Sequence, residues 1–372
     1  MIIGVPREVK KDEYRVAITP AGVRELTASG HIVHVEQGAG EGSSIPDAQY
    51  VRTGAKIVPD ADDVWAGADL VLKVKEPVAE EYHRLGARSD QVLFTYLHLA
   101  ATRACTEALL AAGNVAIAYE TVRLADGSLP LLTPMSEVAG RMAPLVASHH
   151  LMRPGGGRGT LVCGVPGVEA AKIVILGAGV AGMAAATLAV GLHAAVYVLD
   201  RNLERLRQVD HHFRGALETI ASSTHAIEEQ CVDADVVIGA VLVVGARAPK
   251  LVHDDLVARM RPGSVLVDIS VDQGGCFEST RPTTHSDPTF PVHGSLFYCV
   301  ANMPGAVPHS STYALANATL PYAMELAERG WQEAVRSDPS LAEGVNVVHG
   351  NLTYGPVAEA HGMDHVPLES VL

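Results

Sequence analysis

"AKIVILGAGVAGMAAATLAVGLHAAVYVLDRN" (residues 171–202) decides the fold class. Lys172–Leu176 is a short apolar run of the kind that forms a buried strand. Gly177, Gly179 and Gly182 follow at G-x-G-x-x-G spacing and open a small-residue helical stretch, and the next apolar run, "AVYVLD", ends in Asp200. Each part has a physical task. Gly177 permits a tight turn, Gly179 lets backbone approach a pyrophosphate, and Gly182 lets helix and strand pack closely. The helix N-terminus offers unpaired N–H groups and a partial positive charge to phosphates. Asp200 suits the hydroxyls of an adenosine ribose and repels the extra phosphate of NADP, although Arg201 beside it pulls the other way. The stretch predicts a βαβ unit that binds NAD.

The same alternation of apolar runs and amphipathic segments extends in both directions, which predicts an α/β chain with parallel sheets. Ahead of the glycine turn, strands are expected near 2–5, 31–36, 70–75, 92–97 and 115–119. Beyond it they are expected near 172–176, 195–199, 235–239, 264–269 and 296–300. "TPAGVRELTASG" predicts a helix with Thr19 as N-cap, Pro20 in its first turn and Gly30 as its stop. A second helix is expected over 133–152. The tail from Ser310 returns to helix, which Pro321 is expected to kink or divide. The domains expected are 1–130 with 307–372, a discontinuous catalytic domain, and 131–306, an inserted dinucleotide-binding domain. The fold class is thus two Rossmann-like domains, the second inserted into the first.

At 372 residues, 48% of them hydrophobic and 19% charged, the chain can build two ordinary globular cores. A formal net charge of −14 argues against nucleic acid or an anionic membrane as partner. The five cysteines form no C-x-x-C pair, which suits reduced thiols and a cytoplasmic location. The opening residues are charged from Arg7 onward and lack the apolar centre of a signal peptide. The longest apolar run, 236–246, is too short to span a bilayer. No metal site is expected, because adjacent pairs such as His149–His150 do not share a helix face and no H-E-x-x-H occurs.

Ligands of open parallel sheets bind outside the carboxyl ends of strands. In the first domain Lys75, His98 and Glu120 fall at such ends, and Arg15 stands where it can reach them. Lys73, two residues before Lys75, reads as an ordinary strand lysine. In the second domain Asp272 follows the strand at 264–269, and Asp268, which ends that strand more directly, competes with it. A lysine, histidine, arginine and aspartate around a dinucleotide suggest hydride transfer to or from a substrate that carries a carboxylate.

Taken together, "GVPREVKKDEYRVAITPAGV", "ADLVLKVKEP", "LFTYLHLAA", "PMSEVAGR", "VILGAGVAG", "SVLVDISVDQGGCFE" and "YCVANMPGAVP" resemble the alanine dehydrogenase family over essentially the whole chain. The resemblance implies that Arg15 and Lys75 bind the substrate carboxylate and carbonyl oxygen, and that His98 and Asp272 are the acid/base residues. It also implies cofactor contacts from Ser136, Val180, Ala181, Asp200, Arg205, Ser222, Val241, Leu242, Ile269, Arg281, Val300, Asn302 and Met303, and a homohexamer. The activity implied is reversible NAD-dependent deamination of L-alanine to pyruvate and ammonium. Which of His98 and Asp272 is the main base stays open. Two rivals also stay open: the NAD-binding subunit of a transhydrogenase, and a non-catalytic NAD-binding sensor.

Overall fold

The computed structural model describes residues 1–88, 90–241 and 248–372. They divide into two compact units, Met1–Met135 with Val307–Leu372, and Ser136–Ala306. Both units are α/β, each built on one mostly parallel sheet.

The strands, in chain order, are β1 (Ile2–Val5), β2 (Ile32–Glu36), β3 (Lys56–Val58), β4 (Leu70–Leu72), β5 (Val92–Thr95), β6 (Val115–Ala118), β7 (Lys172–Leu176), β8 (Ala195–Asp200), β9 (Glu218–Ala221), β10 (Val236–Gly239), β11 (Val265–Asp268), β12 (Thr289–Val292), β13 (Ser295–Tyr298), β14 (Val345–Val348) and β15 (Asn351–Leu352). The first unit's sheet has the order β15-β14-β6-β5-β4-β1-β2-β3 and the second β12-β13-β11-β10-β7-β8-β9. Among the described residues, only β14, β15 and β12 run antiparallel to their neighbours. Helices between the strands explain the near-continuous apolar runs of β4, β5, β6 and β10, since a strand covered on both faces has no polar side.

Local sequence accounts for several helices directly. Helix Pro20–Ala28 starts at Thr19, whose hydroxyl accepts from the Gly22 N–H, and ends before Gly30 in the left-handed region (φ +84°). Helix Thr133–Leu151 occupies the expected stretch. The tail differs from expectation. One helix, Pro308–Arg329, runs unbroken through Pro321. Its buried residues Leu315, Ala316, Thr319, Ala323 and Leu326 stay on one stripe across the proline, so packing outweighs the one missing backbone bond. No helix among the described residues is long and apolar enough to cross a membrane.

Candidate functional site

In the first unit the strand order reverses between β1 and β4, so the loops leaving these strands part on opposite sides of the sheet and leave a crevice. The register aligns Gly4 with Val71, Leu72 with Phe94 and Thr95 with Ala118. The chain therefore leaves β1, β4, β5 and β6 at one edge, carrying Glu8, then Lys73, Lys75 and Glu76, then Tyr96 and His98, then Glu120.

Lys73 is not an ordinary strand lysine. Strand β4 ends at Leu72 and is central in the sheet, and Lys73 is fully buried beyond it. Its ammonium donates to Glu8 Oε2 (3.1 Å) and Glu81 Oε1 (2.9 Å). Glu8 also accepts from the Val74 N–H (2.6 Å), so this buried ion cluster fixes the backbone that presents Lys75. Lys75 is itself buried.

Arg15 is 2% exposed, and its guanidinium grips Glu13 in bidentate fashion, Nε to Oε1 at 2.6 Å and Nη2 to Oε2 at 2.5 Å. Burial pushes the Glu13 carboxyl up, but the bonds and charge of Arg15, with the charge of Lys75, hold it below its ordinary value. Arg15 and Lys75 thus share one carboxylate neighbour. His98 stands in the left-handed region (φ +48°), where the Leu97 and His98 N–H groups both donate to Glu120, at 3.1 and 2.6 Å. A non-glycine residue keeps such a conformation only where its surroundings enforce it. The imidazole lies nearly parallel to the Tyr96 ring (centroids 5.8 Å apart), and its Nδ1 donates to Glu76 Oε2 (2.9 Å). Sequence reading passed over Glu8, Glu13 and Glu76. Glu13 and Glu76 stand two and one positions from residues it singled out, yet only the fold shows what they hold.

The second unit repeats the plan, with its reversal between β7 and β10. Gly177 leaves β7 with φ +108°, and a Cβ there would lie 2.7 Å from the Ala240 carbonyl oxygen. A Cβ on Gly182 would fall 1.8 Å from the Gly177 carbonyl oxygen, so helix Val180–Gly191 can pack on the turn only if residue 182 has no side chain. At Gly179, the N-cap of that helix, a Cβ would meet nothing within 4 Å. The backbone is open there, Val180 beside it is exposed, and Ala181 is half-buried. Asp200, at the end of β8, accepts from the Ala178 N–H (2.7 Å) and the Asn202 N–H (2.7 Å), which ties the glycine turn to the next strand. A carboxylate has about four acceptor positions, so these two bonds leave capacity for ribose hydroxyls. An open helix N-terminus, backbone that can approach a phosphate and an acid at the end of β8 fit a dinucleotide.

Register places Ser222, Val241 and Ile269 just past β9, β10 and β11 on the edge that carries the glycine turn. Val300, Asn302 and Met303 follow β13, which pairs with β11 in parallel, so they leave at that edge too. Val300 and Met303 are buried, and Asn302 takes φ +60°. Ser136 is half-buried on helix Thr133–Leu151. Arg205 is exposed on helix Leu203–Phe213, and Arg281 is exposed with its guanidinium 4.1 Å from the Phe290 ring centroid. Leu242 lies outside the described residues.

Asp268 and Asp272 play different parts. Asp268 is fully buried at the end of β11 and accepts from the Ser270 N–H (3.0 Å), the Cys276 N–H (2.9 Å) and the Thr280 hydroxyl (2.5 Å), closing its own loop. Asp272 is exposed on the turn Val271–Gln273 within that loop.

The family model for the alanine dehydrogenase/PNT N-terminal domain matches residues 4–139, and that for the C-terminal domain matches residues 143–355. The chain belongs to the alanine dehydrogenase/PNT family. Within it, an alanine dehydrogenase of Mycobacterium tuberculosis is 59% identical over 372 residues, covering all of both chains. One from Geobacillus stearothermophilus is 50% identical over 379 residues, again over all of both chains. A solved L-alanine dehydrogenase superposes with a TM-score of 0.94 at 49% identity, over 97% of this chain and 99% of that one. A transhydrogenase from Sinorhizobium meliloti gives a TM-score of 0.80 at 25% identity, over 95% and 99%.

Proposed function

We propose that the chain is an NAD-dependent L-alanine dehydrogenase, catalysing the reversible oxidative deamination of L-alanine to pyruvate and ammonium. The observation that carries this reading is the gathering of Lys75 and His98 at the reversal edge of the first sheet, with Arg15 sharing the Glu13 neighbour of Lys75. Full-length identity of 59% to an alanine dehydrogenase, against 25% to a transhydrogenase, favours it over the transhydrogenase reading. A sensor that turns nothing over has no need of a histidine held by two carboxylates.

In this reading Arg15, oriented by Glu13, binds the substrate carboxylate through its planar fork. Lys75 faces the substrate oxygen and stabilises the negative charge that builds there in the reductive direction. NAD, when bound, would supply the acceptor for the Cα hydride, whose departure turns the substrate amine into an iminium. Gly177, Gly179, Val180, Ala181 and Gly182 cradle its pyrophosphate, and Asp200 holds its adenosine ribose. Asp272, rather than the fully engaged Asp268, offsets the iminium charge and orients water. Water adds to give a carbinolamine, and His98 takes its hydroxyl proton as ammonia leaves. Ser136, Arg205, Ser222, Val241, Leu242, Ile269, Arg281, Val300, Asn302 and Met303 complete the cofactor contacts. Alanine deuterated at Cα tests the route, since the reduced cofactor must then carry deuterium. Protium there would refute direct hydride transfer.

The proposed working form is a homohexamer in the cytoplasm. The exposure of Leu145, Met152, Leu161, Val165 and Val168 supports self-association, and five free thiols suit a reducing compartment. Light scattering at micromolar concentration should give six copies, and a monomer would contradict this.

A further inference from the structure

His98 is tied to a carboxylate that takes no part in the scheme above. Its Nδ1 lies 2.9 Å from Glu76 Oε2, and the other oxygen of Glu76 accepts from the Lys10 ammonium. Glu76 is 6% exposed. A carboxylate cannot donate, so Nδ1 carries the hydrogen and Nε2 is the nitrogen that exchanges a proton with a ligand.

We infer that Glu76 is a positioning residue for proton transfer: it fixes the tautomer of His98 and supplies the counter-charge for the imidazolium. The inference rests on the reading of His98 as the acid/base group. When the protonated carbinolamine collapses, its hydroxyl proton passes to Nε2, the O–H electrons form the carbonyl, and the C–N pair departs with ammonia. The imidazolium then carries one positive charge, 2.9 Å from an oxygen of Glu76. In the reductive direction the same proton returns to the substrate oxygen.

The surroundings keep Glu76 charged while this happens. Burial pushes its carboxyl up, but the bond to His98 and the charges of His98, Lys75 and Lys10 hold it well below the usual carboxylate range. Tyr82 and Cys105 also adjoin it, and both are pushed up, first by burial and further by the acidic groups near them, Glu76 among them. On the His98 side stand the Tyr96 ring, whose hydroxyl is spent on the Leu131 carbonyl (2.5 Å), and Glu120, bound to the backbone. Among these groups Glu76 is the one carboxylate bonded to the imidazole itself.

The test is the pH dependence of kcat/KM in both directions for the full-length protein and its Glu76→Gln, Glu76→Asp, Lys10→Met and His98→Ala variants. An opposite charge at this range moves a titration by about 1–3 units. Glu76→Gln should therefore displace the limb that His98→Ala abolishes by about one unit toward lower pH, in both directions. Loss of that charge lowers kcat on the order of tenfold or more, with KM little changed. Glu76→Asp should restore the limb. Lys10→Met, which removes a competing cation, should move it toward higher pH, and this variant carries the test if Glu76→Gln fails to fold. A folded Glu76→Gln variant with an unmoved limb overturns the inference and leaves His98 in place. So does an unmoved limb in Lys10→Met. A limb that survives His98→Ala removes the assignment of His98 itself.

Discussion

Replacing Lys73 with methionine keeps the length of the side chain and removes its charge. Glu8 and Glu81 then face one another without a cation, each with its side chain 2% exposed. Removing one partner of a buried pair costs about 3–5 kcal/mol. Protonation sets a second bound. Holding one carboxyl neutral at pH 7, against an ordinary value of 4.5 in the unfolded chain, costs about 3.4 kcal/mol at about 1.36 kcal/mol per unit. At pH 5 the same step costs about 0.7 kcal/mol. The sign follows from Glu8, which burial already raises and which Lys73 partly offsets. Without Lys73 it rises further. A carboxyl raised in the folded state adds stability below its unfolded value and loses it as pH climbs toward the folded value. The variant should therefore lose about 3 kcal/mol at pH 7 and about 1 kcal/mol at pH 5. Both tryptophans, Trp65 and Trp331, are buried in the same unit as Lys73, so urea unfolding followed by tryptophan fluorescence reads the effect directly. Adding Glu8→Gln and Glu81→Gln to Lys73→Met should recover most of the loss. A single variant as stable as the parent at pH 7, or a loss that does not shrink by pH 5, would refute the reasoning.

Gly182→Ala puts a methyl 1.8 Å from the Gly177 carbonyl oxygen, so helix and turn must separate by roughly 1 Å. NADH affinity, read by fluorescence titration, should fall at least about tenfold while far-UV circular dichroism stays near that of the parent. Asp200→Asn removes the charge that opposes a 2′-phosphate, and the ratio of kcat/KM for NAD over NADP should fall by about tenfold. Asp268→Asn sets an amide against donors from Ser270, Cys276 and Thr280. It should cost about 2 kcal/mol in unfolding free energy and, by loosening the loop that carries Asp272, lower kcat more than it raises KM.

Much of the fold is legible because its determinants are local. The turn at 177–182 needs glycine for contacts within a few residues, and helix Pro20–Ala28 carries its own cap and stop. The strands left out of the sequence reading lack such marks. Strand β9 lies at the edge of its sheet with no fully buried residue, and β12 is an edge strand that includes Pro291. Strand β14 becomes a strand by pairing with β6, more than 200 residues earlier in the chain, and β15 by pairing in turn with β14. Pro321 misled because the face that holds its helix together is read only once the partner elements are known. In the site, Lys75 and His98 are visible as polar residues at strand ends. Lys73 was not, because its partners sit 65 and 8 positions away and neither lies in its strand. Glu76 shows its purpose only when β4 and β5 bring His98 beside it.

The most direct measurement is NADH formation on mixing the purified protein with NAD and L-alanine at alkaline pH. D-alanine, other small amino acids and NADP run beside it, with His98→Ala as the control. The account predicts turnover confined mainly to L-alanine with NAD and lost in the variant. NAD binding without turnover of L-alanine would contradict it.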